Sequence, residues 1–351
     1  MLPQPESEPP SFSDDTFLSS IFPAQGSPQP VYELHPPRRG LSIGSEQLYP
    51  LTIDSKGLFE RFARSQSDLG NDLGFANNFI WMSRMSGFYA IIEDCFCLFS
   101  LQGGVLNMLL PPLGDTTRQL SVLQRCFQIM NTYNESASHS AVAFVDSETA
   151  LRLSAEATRW QLTPHHADYV YATRDLIELS GNAYKNKRNE VNQFLRAYPI
   201  HSLVPLAEEH HEQILALFGY WVGERLRTLD ASVLTDFIES VELERQGIEQ
   251  ALRHYDALEL EGLCLFVDGK LEGFTFGERI NGKVGSVLVE KTNFAIAGAA
   301  QFLFREFCRH LAECDYINVG DDLGLENMRR VKMSYRPLLQ VKKFHLHYVL
   351  D

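Results

Sequence analysis

Three groups of residues in this chain combine side chains that handle protons or anions. Glu290, Lys291 and Asn293 follow one apolar, strand-like run, and Asp321 with Asp322 follows the next. A carboxylate at a strand end can take the proton of a hydroxyl or amine when burial raises its pKa. Asp322 also reads as the N-cap of a helix starting near Gly324, so two roles compete for one side chain. Tyr184, Lys187 and Arg188 form the second group, around the start of a basic helix that also carries Lys185 and Arg196. Cations there oppose the helix dipole, which prefers anions. A phosphate-bearing ligand would explain them, and so would an ordinary solvated face in an acidic protein. Arg329, Arg330 and Arg336 make the third group and can grip a phosphate through paired N–H donors. Their spacing does not put all three on one face.

Other motifs lack the context that would give them chemistry. Gly40-Leu-Ser42-Ile-Gly44 has the GxSxG pattern but ends a proline-rich stretch instead of joining a strand to a helix. His211-Glu-Gln-Ile-Leu215 lacks the second histidine of HExxH, so no metal site is expected. The six cysteines have no CxxC pair and read as reduced core residues of a cytoplasmic protein.

The elements that position these groups follow from periodicity. The run from Tyr169 to Leu179 reads as a strand, Ser180-Gly-Asn182 as a turn, and Val191, Phe194 and Leu195 as the buried face of the helix that continues toward Pro199. Before them come strand-like runs at Phe88–Ile92, Cys95–Leu101 and Val105–Leu110, separated at hairpin distance, then a helix over Leu120–Met130 and a strand at Ala141–Val145. After them, two helices precede runs split by Asp268-Gly269 and Asn281-Gly282, the strongest short-range hairpin signals. Ala300, Leu303, Phe304, Phe307, Cys308 and Leu311 then mark an amphipathic helix. A strand at Tyr316–Val319, a helix from Gly324 to Ser334 and a final strand from Leu339 to Val349 close the chain.

A chain of 351 residues with 44% apolar content is long enough for two cores. Its formal charge of −14 argues against general coating of nucleic acid. The charge is uneven: Arg329 to Leu350 holds six cations and no acid, which leaves −20 on the remainder. Such a segment allows a local anion site. Residues 1–45 hold nine of the sixteen prolines and read as a disordered tail. No apolar run reaches the ~18 residues of a membrane span, and the start lacks a signal-peptide pattern, so a cytoplasmic or membrane-peripheral protein is expected.

Hairpins, helix, strand, helix, strand is an order offered twice here, and it resembles tandem GNAT-like acyltransferase domains of the α+β class, each a mixed, mostly antiparallel sheet flanked by helices. The expected units are the tail at 1–45, a first domain at 46–199 and a second at 200–351 that holds the active cleft. The blocks Phe88–Cys97, Leu110–Asp115, Leu179–Phe194, Tyr316–Arg330 and Lys332–Pro337 are similar to the family named for the C-terminal domain of bacterial phosphatidylglycerol lysyltransferase.

The resemblance implies transfer of an acyl group, in the best-known relatives an aminoacyl group from charged tRNA to a lipid hydroxyl or a peptidoglycan amine. Charged tRNA or an acyl-coenzyme A thioester is then the co-substrate, a lipid head group or an amine the acceptor, and no cofactor is bound permanently. Lipid-modifying members carry a long membrane-embedded region ahead of the domain, where this chain has the short proline-rich stretch. The fold also implies that the two strands ending near Glu290 and Asp321 splay apart, and that Tyr335 lies where a tyrosine protonates the leaving group. Its pyrophosphate loop corresponds to Ala295-Ile-Ala-Gly298-Ala-Ala300, with alanine at the usual basic or amide position. That weakens a coenzyme A reading, and Gly298 is equally explained by tight helix packing. The alternative function is a non-catalytic binding protein that retains the tandem fold and an anion pocket.

Overall fold

Four two-residue turns set the register of the sheets. Glu93-Asp94, Gly103-Gly104, Asp268-Gly269 and Asn281-Gly282 take positive φ at both positions, the geometry whose twist matches paired strands. The computed structural model describes residues 39–66, 68–82, 85–156, 160–230 and 233–348. Strands β1 (Leu41–Ile43) and β2 (Glu46–Pro50) lead to helices α1 (Lys56–Ala63) and α2 (Phe75–Trp81). The first meander follows as β3 (Ser86–Ile92), β4 (Cys95–Gln102) and β5 (Val105–Met108), then α3 (Gln119–Asn134), β6 (Ala141–Asp146), α4 (Ser147–Glu156) and β7 (Trp160–Pro164). Next come β8 (Asp168–Ala172), α5 (Thr173–Glu178), α6 (Lys185–Ala197), β9 (His201–Pro205), α7 (His211–Leu226) and α8 (Leu234–Arg253). The second meander is β10 (Glu261–Val267), β11 (Lys270–Ile280) and β12 (Val284–Thr292). After it stand α9 (Ala299–His310), β13 (Tyr316–Asn318), α10 (Glu326–Ser334), β14 (Leu339–Val341) and β15 (Lys343–Tyr348).

The strands form an eight-stranded sheet, β1-β2-β3-β4-β5-β6-β15-β7, and a seven-stranded sheet, β14-β8-β13-β12-β11-β10-β9. Pairing is antiparallel except for β5 with β6 and β12 with β13. Each sheet therefore contains one parallel pair beside a meander.

Four expectations change. The sheets do not divide at residue 199, because β8 pairs with β13 and β14 in the second sheet while β15 enters the first between β6 and β7. The single strand expected from Leu339 to Val349 is two strands in different sheets, with Lys342 between them. Lys343 marks the crossing, its ammonium 2.5 Å from Asp72 and 2.8 Å from Asp168. The run from Tyr169 ends as a strand at Ala172, and α5 takes over, with Arg174 paired to Glu178 one turn later at 2.6 Å. The expected tail falls at 1–38 outside the described residues. Its last part is structured, and Ser42 of the GxSxG motif lies in an edge hairpin with its hydroxyl 2.6 Å from Gln47.

Three apolar clusters hold the layers. One joins Phe59, Phe75 and Phe96 of the first half to Phe218, Phe274 and Phe276 of the second, so the halves share a core. A second surrounds Phe88, Phe99 and Phe127. The third gathers Tyr169, Tyr171, Phe194, Leu303 and Phe307 from β8, α6 and α9, each large side chain contributing roughly 1.5–3 kcal/mol by leaving water. Glu278 of β11 ties the halves further, accepting the Ala76 and Asn77 backbone N–H groups at 2.9 and 2.7 Å. The six cysteines are buried and unpaired. No helix among the described residues is long and apolar enough to cross a membrane.

Candidate active site

Strands β12 and β13 pair only over Val284–Tyr316, Gly285–Ile317 and Ser286–Asn318. Beyond Ser286, β12 runs on to Thr292 while β13 has ended. The gap that opens carries Glu290. Its Oε2 atom is enclosed and has no hydrogen-bond partner. Burial pushes the carboxyl up to about 8, with neighbouring Lys291 pulling the other way. A carboxyl in that range exchanges a proton near neutral pH.

Tyr335, just past α10, is buried within range of the Glu290 charge. Burial, then the charges of Glu290, Cys308 and Glu190, push its phenol well above the ordinary tyrosine range, so it keeps its proton. The start of α6 closes over it: the Lys187 ammonium lies 4.5 Å from the Tyr335 ring centre, and the Tyr184 hydroxyl donates to the Tyr335 carbonyl at 3.1 Å. Lys187 also pairs with Glu190 at 3.4 Å. Glu290, Tyr335, Tyr184 and Lys187 are therefore brought together by the strand exchange that seats β8 and α6 against the second sheet.

The remaining candidates are placed elsewhere. Lys291 points to the opposite face of β12, where it pairs with Glu244 at 2.6 Å and lies 4.2 Å over the Trp221 ring, as the strand's two-residue period requires. Asn293 is buried in a local bracket, donating to Glu272 at 2.6 Å and accepting the Ala295 N–H at 2.9 Å. Arg188 turns back to the Leu179 and Gly181 carbonyls and fastens the turn before α6. Gly298 has φ of +78°, and a Cβ there would stand 2.3 Å from the Glu190 carbonyl oxygen. Close approach of α6 thus accounts for this glycine.

Asp321 accepts the Leu323 N–H at 2.7 Å. Asp322 accepts from the Tyr169 hydroxyl (2.7 Å), Arg329 (2.9 Å) and the Gly324 N–H (3.0 Å). Burial alone would raise its carboxyl, but those donors hold it down at about 2. Such a carboxylate is a poor proton acceptor near neutrality. It also is not the helix cap expected from sequence: α10 begins at Glu326 with Leu325 at its N-cap, and Asp322 braces the loop before it. Arg329 is engaged by Asp322, while Arg330 and Arg336 are exposed.

Two further residues belong to this region. Lys332 donates to the carbonyls of Val319, at 2.6 Å, and Asp321, satisfying the chain where β13 ends. Burial pulls its ammonium down to about 8 against nearby Asp321, Asp168 and Asp322. Glu190 of α6 adds its charge near Tyr335. Neither stood out in the sequence, because a lysine or glutamate within a polar helix looks like any solvated residue.

In the first half β5 and β6 pair at Met108–Val142 and part beyond the bond from the Phe144 N–H to the Leu109 carbonyl, 2.9 Å long. On the neighbouring β15, Lys343 is held between Asp72 and Asp168, and Asp168 also accepts the Asn71 N–H and the Asn318 amide at 3.0 Å each. A cavity of about 40 Å³ beside them is lined by Asp68, Asp146 and Gln119 among others.

The family described as phosphatidylglycerol lysyltransferase, C-terminal, matches residues 64–347. A conserved protein of unknown function from Bacteroides thetaiotaomicron has 26% identity and a TM-score of 0.77, covering 86% of this chain and 99% of that one. The structure of L-PGS from Bacillus licheniformis has 13% identity and a TM-score of 0.59, covering 84% and 92%. A curated relative, an uncharacterized protein of Mycoplasmoides gallisepticum, is 19% identical over 206 residues; the match spans 57% of this chain and 63% of that protein's length. The fold is tandem GNAT-like, with two mostly antiparallel sheets flanked by helices. The chain belongs to the phosphatidylglycerol lysyltransferase C-terminal family, and family and fold together indicate an acyltransferase.

Proposed function

We propose that this protein moves an aminoacyl group from charged tRNA to a hydroxyl or amine acceptor in the gap between β12 and β13. The observation that carries this reading is the enclosed, unpartnered Glu290 oxygen, whose charge acts on the buried Tyr335 phenol. The acceptor oxygen or nitrogen attacks the ester carbonyl carbon of the donor, and Glu290 takes the acceptor's proton. As the tetrahedral intermediate collapses, the ester C–O bond breaks and Tyr335 protonates the leaving ribose oxygen. The Tyr335 proton is then restored from protonated Glu290 through solvent. Lys187, over the Tyr335 ring, supplies positive charge near the developing oxyanion.

Charged tRNA is favoured over a coenzyme A thioester by the Gly298 turn. α6 packs against that glycine, and alanine stands at position 295, so the loop lacks the side chain that would help hold a pyrophosphate. Exposed Arg330 and Arg336 offer phosphate contacts at the rim. The family's own description favours a phosphatidylglycerol head group as acceptor. No permanently bound cofactor takes part.

Native mass spectrometry with a mixture of charged tRNAs and, separately, acyl-coenzyme A thioesters tests the donor. Selective retention of charged tRNA that weakens steeply with salt is expected. Retention of a thioester alone would replace the donor, and retention of neither would leave a binding protein as the better reading.

A further inference from the structure

An aromatic and cationic cluster stands on the face of β12 that carries Lys291. Trp221 and Arg225 are four residues apart on α7 and share one side of it. The Trp221 indole is held by buried Phe218, stacked at 6.3 Å between ring centres, and by the Lys291 ammonium at 4.2 Å. Phe294 joins it from the loop after β12, with the two ring centres 5.7 Å apart. The Arg225 guanidinium lies 5.5 Å from the Trp221 ring centre and 5.3 Å from that of Phe294.

Two features suit this cluster to a ligand. The Phe294 ring is 52% exposed although its loop is fixed, since Asn293 brackets it through Glu272 and the Ala295 N–H. A fixed loop that holds an aromatic ring in water forgoes the gain of burying it. Arg225 is the second feature. Lys291 is neutralised by Glu244, whereas among the described residues no carboxylate pairs with the Arg225 guanidinium, in a chain of 45 acids against 31 lysines and arginines.

An exposed ring face beside an unpaired guanidinium matches a nucleobase with its phosphate: the base stacks on the ring, and the phosphate takes paired N–H donors from the arginine. A bare phosphate has no use for the ring, and an aliphatic chain none for the guanidinium. Phe294 follows Glu290 by four residues, so their Cα atoms are at most about 14 Å apart. A ligand seated in the β12–β13 gap is within reach of the cluster.

We propose that Phe294, Trp221 and Arg225 form a docking platform for a nucleobase and its phosphate at the end of the acyl donor. A single-stranded RNA 3′ end and coenzyme A both carry that chemistry. The inference rests on the acyl-transfer reading only in naming the donor as the source.

The test titrates the full chain into a short RNA ending in CCA whose last base is 2-aminopurine, which loses fluorescence on stacking. A saturable loss is expected. Phe294→Leu should weaken binding about tenfold or more and abolish the loss, whereas Phe294→Tyr, which keeps the ring, should retain both. Arg225→Gln should lower the slope of log affinity against log salt by about 0.7, one phosphate contact on a single strand. An unchanged urea midpoint for Phe294→Leu separates a lost platform from a lost fold. Coenzyme A is titrated by calorimetry against the same variants. Dependence on Phe294 for RNA alone assigns the platform to an RNA 3′ end, and for coenzyme A alone to a thioester. Phe294→Leu binding both ligands as the natural protein does, or a natural protein binding neither, would overturn the proposal. In the latter case, retention on phosphatidylglycerol vesicles that Phe294→Leu abolishes would give the cluster to a membrane. RNA binding through Phe294 without any aminoacyl transfer would contradict the acyl-transfer reading and leave the platform standing.

Discussion

Beside the end of the β5–β6 pairing, Lys343 of the neighbouring β15 is clamped by Asp72 and Asp168. Between β12 and β13, the corresponding gap holds Glu290 with an enclosed oxygen that meets no donor. The same backbone arrangement thus supports two outcomes, and the difference lies in what the charges are given to do. In the first half Lys343 is paired with both aspartates and joins β15 to β8, while Asp68 of the adjoining cavity is pushed up by burial to about 6. In the second half one carboxyl is left with its proton equilibrium free to move, which is what proton transfer requires. A paired charge stabilises geometry, whereas an unpaired one stores reactivity at a cost in stability.

The comparison can be broken most sharply at Glu290. Glu290→Gln keeps the shape and removes the proton acceptor, and the transfer rate is expected to fall about 10²–10⁴-fold, the usual range for losing general base catalysis. Lys343→Met tests the opposite region. It leaves Asp72 and Asp168 buried without their cation, and urea unfolding should show a loss of about 3–5 kcal/mol. Gly298→Ala probes the seat of α6. The left-handed backbone and the approach of the Glu190 carbonyl should together cost roughly 1–3 kcal/mol in the same measurement, with Lys187 and Tyr184 displaced from Tyr335.

A smaller effect concerns pH and stability. Burial raises Glu290 to about 8, Glu278 to about 7 and Asp68 to about 6, from ordinary values of 4.5, 4.5 and 3.8. A carboxyl raised on folding stabilises the native state fully below its unfolded pKa, and the benefit is lost as pH rises through the folded value. Stability from these groups should therefore decline between about pH 4 and pH 8. Glu290→Gln should flatten the portion between about pH 7 and pH 8, as thermal unfolding across a pH series would show. An unchanged slope would mean that Glu290 does not titrate there.

Much of this arrangement is readable from the chain because it is local. Asp268-Gly269 and Asn281-Gly282 dictate hairpins wherever they fall between apolar runs, and the spacing of Leu303, Phe307 and Leu311 dictates one buried helix face. Glu290, Lys187 and Tyr335 are visible as polar groups at element ends. What is not local is hidden. Nothing in the sequence around Asp168–Ala172 or Lys343–Tyr348 says that these strands trade sheets, since partner choice depends on residues more than a hundred positions away. The same limit explains the carboxylates: Asp322 looks as available as Glu290 until Tyr169 and Arg329 arrive to bond it. Arg188 looks like a phosphate ligand until its guanidinium is seen on the Leu179 and Gly181 carbonyls.

The measurement that bears most directly on the division between the two gaps is the rate of aminoacyl loss from charged tRNA to added phosphatidylglycerol or amine acceptors, followed across pH 5 to 9. It should be run on the natural protein, Glu290→Gln and Asp68→Asn side by side. A rate that climbs with pH to a plateau above about 8 in the natural protein, keeps that profile in Asp68→Asn and becomes slow and flat in Glu290→Gln is the expected result. The same climbing profile in Glu290→Gln, or its loss in Asp68→Asn alone, would place the chemistry outside the β12–β13 gap.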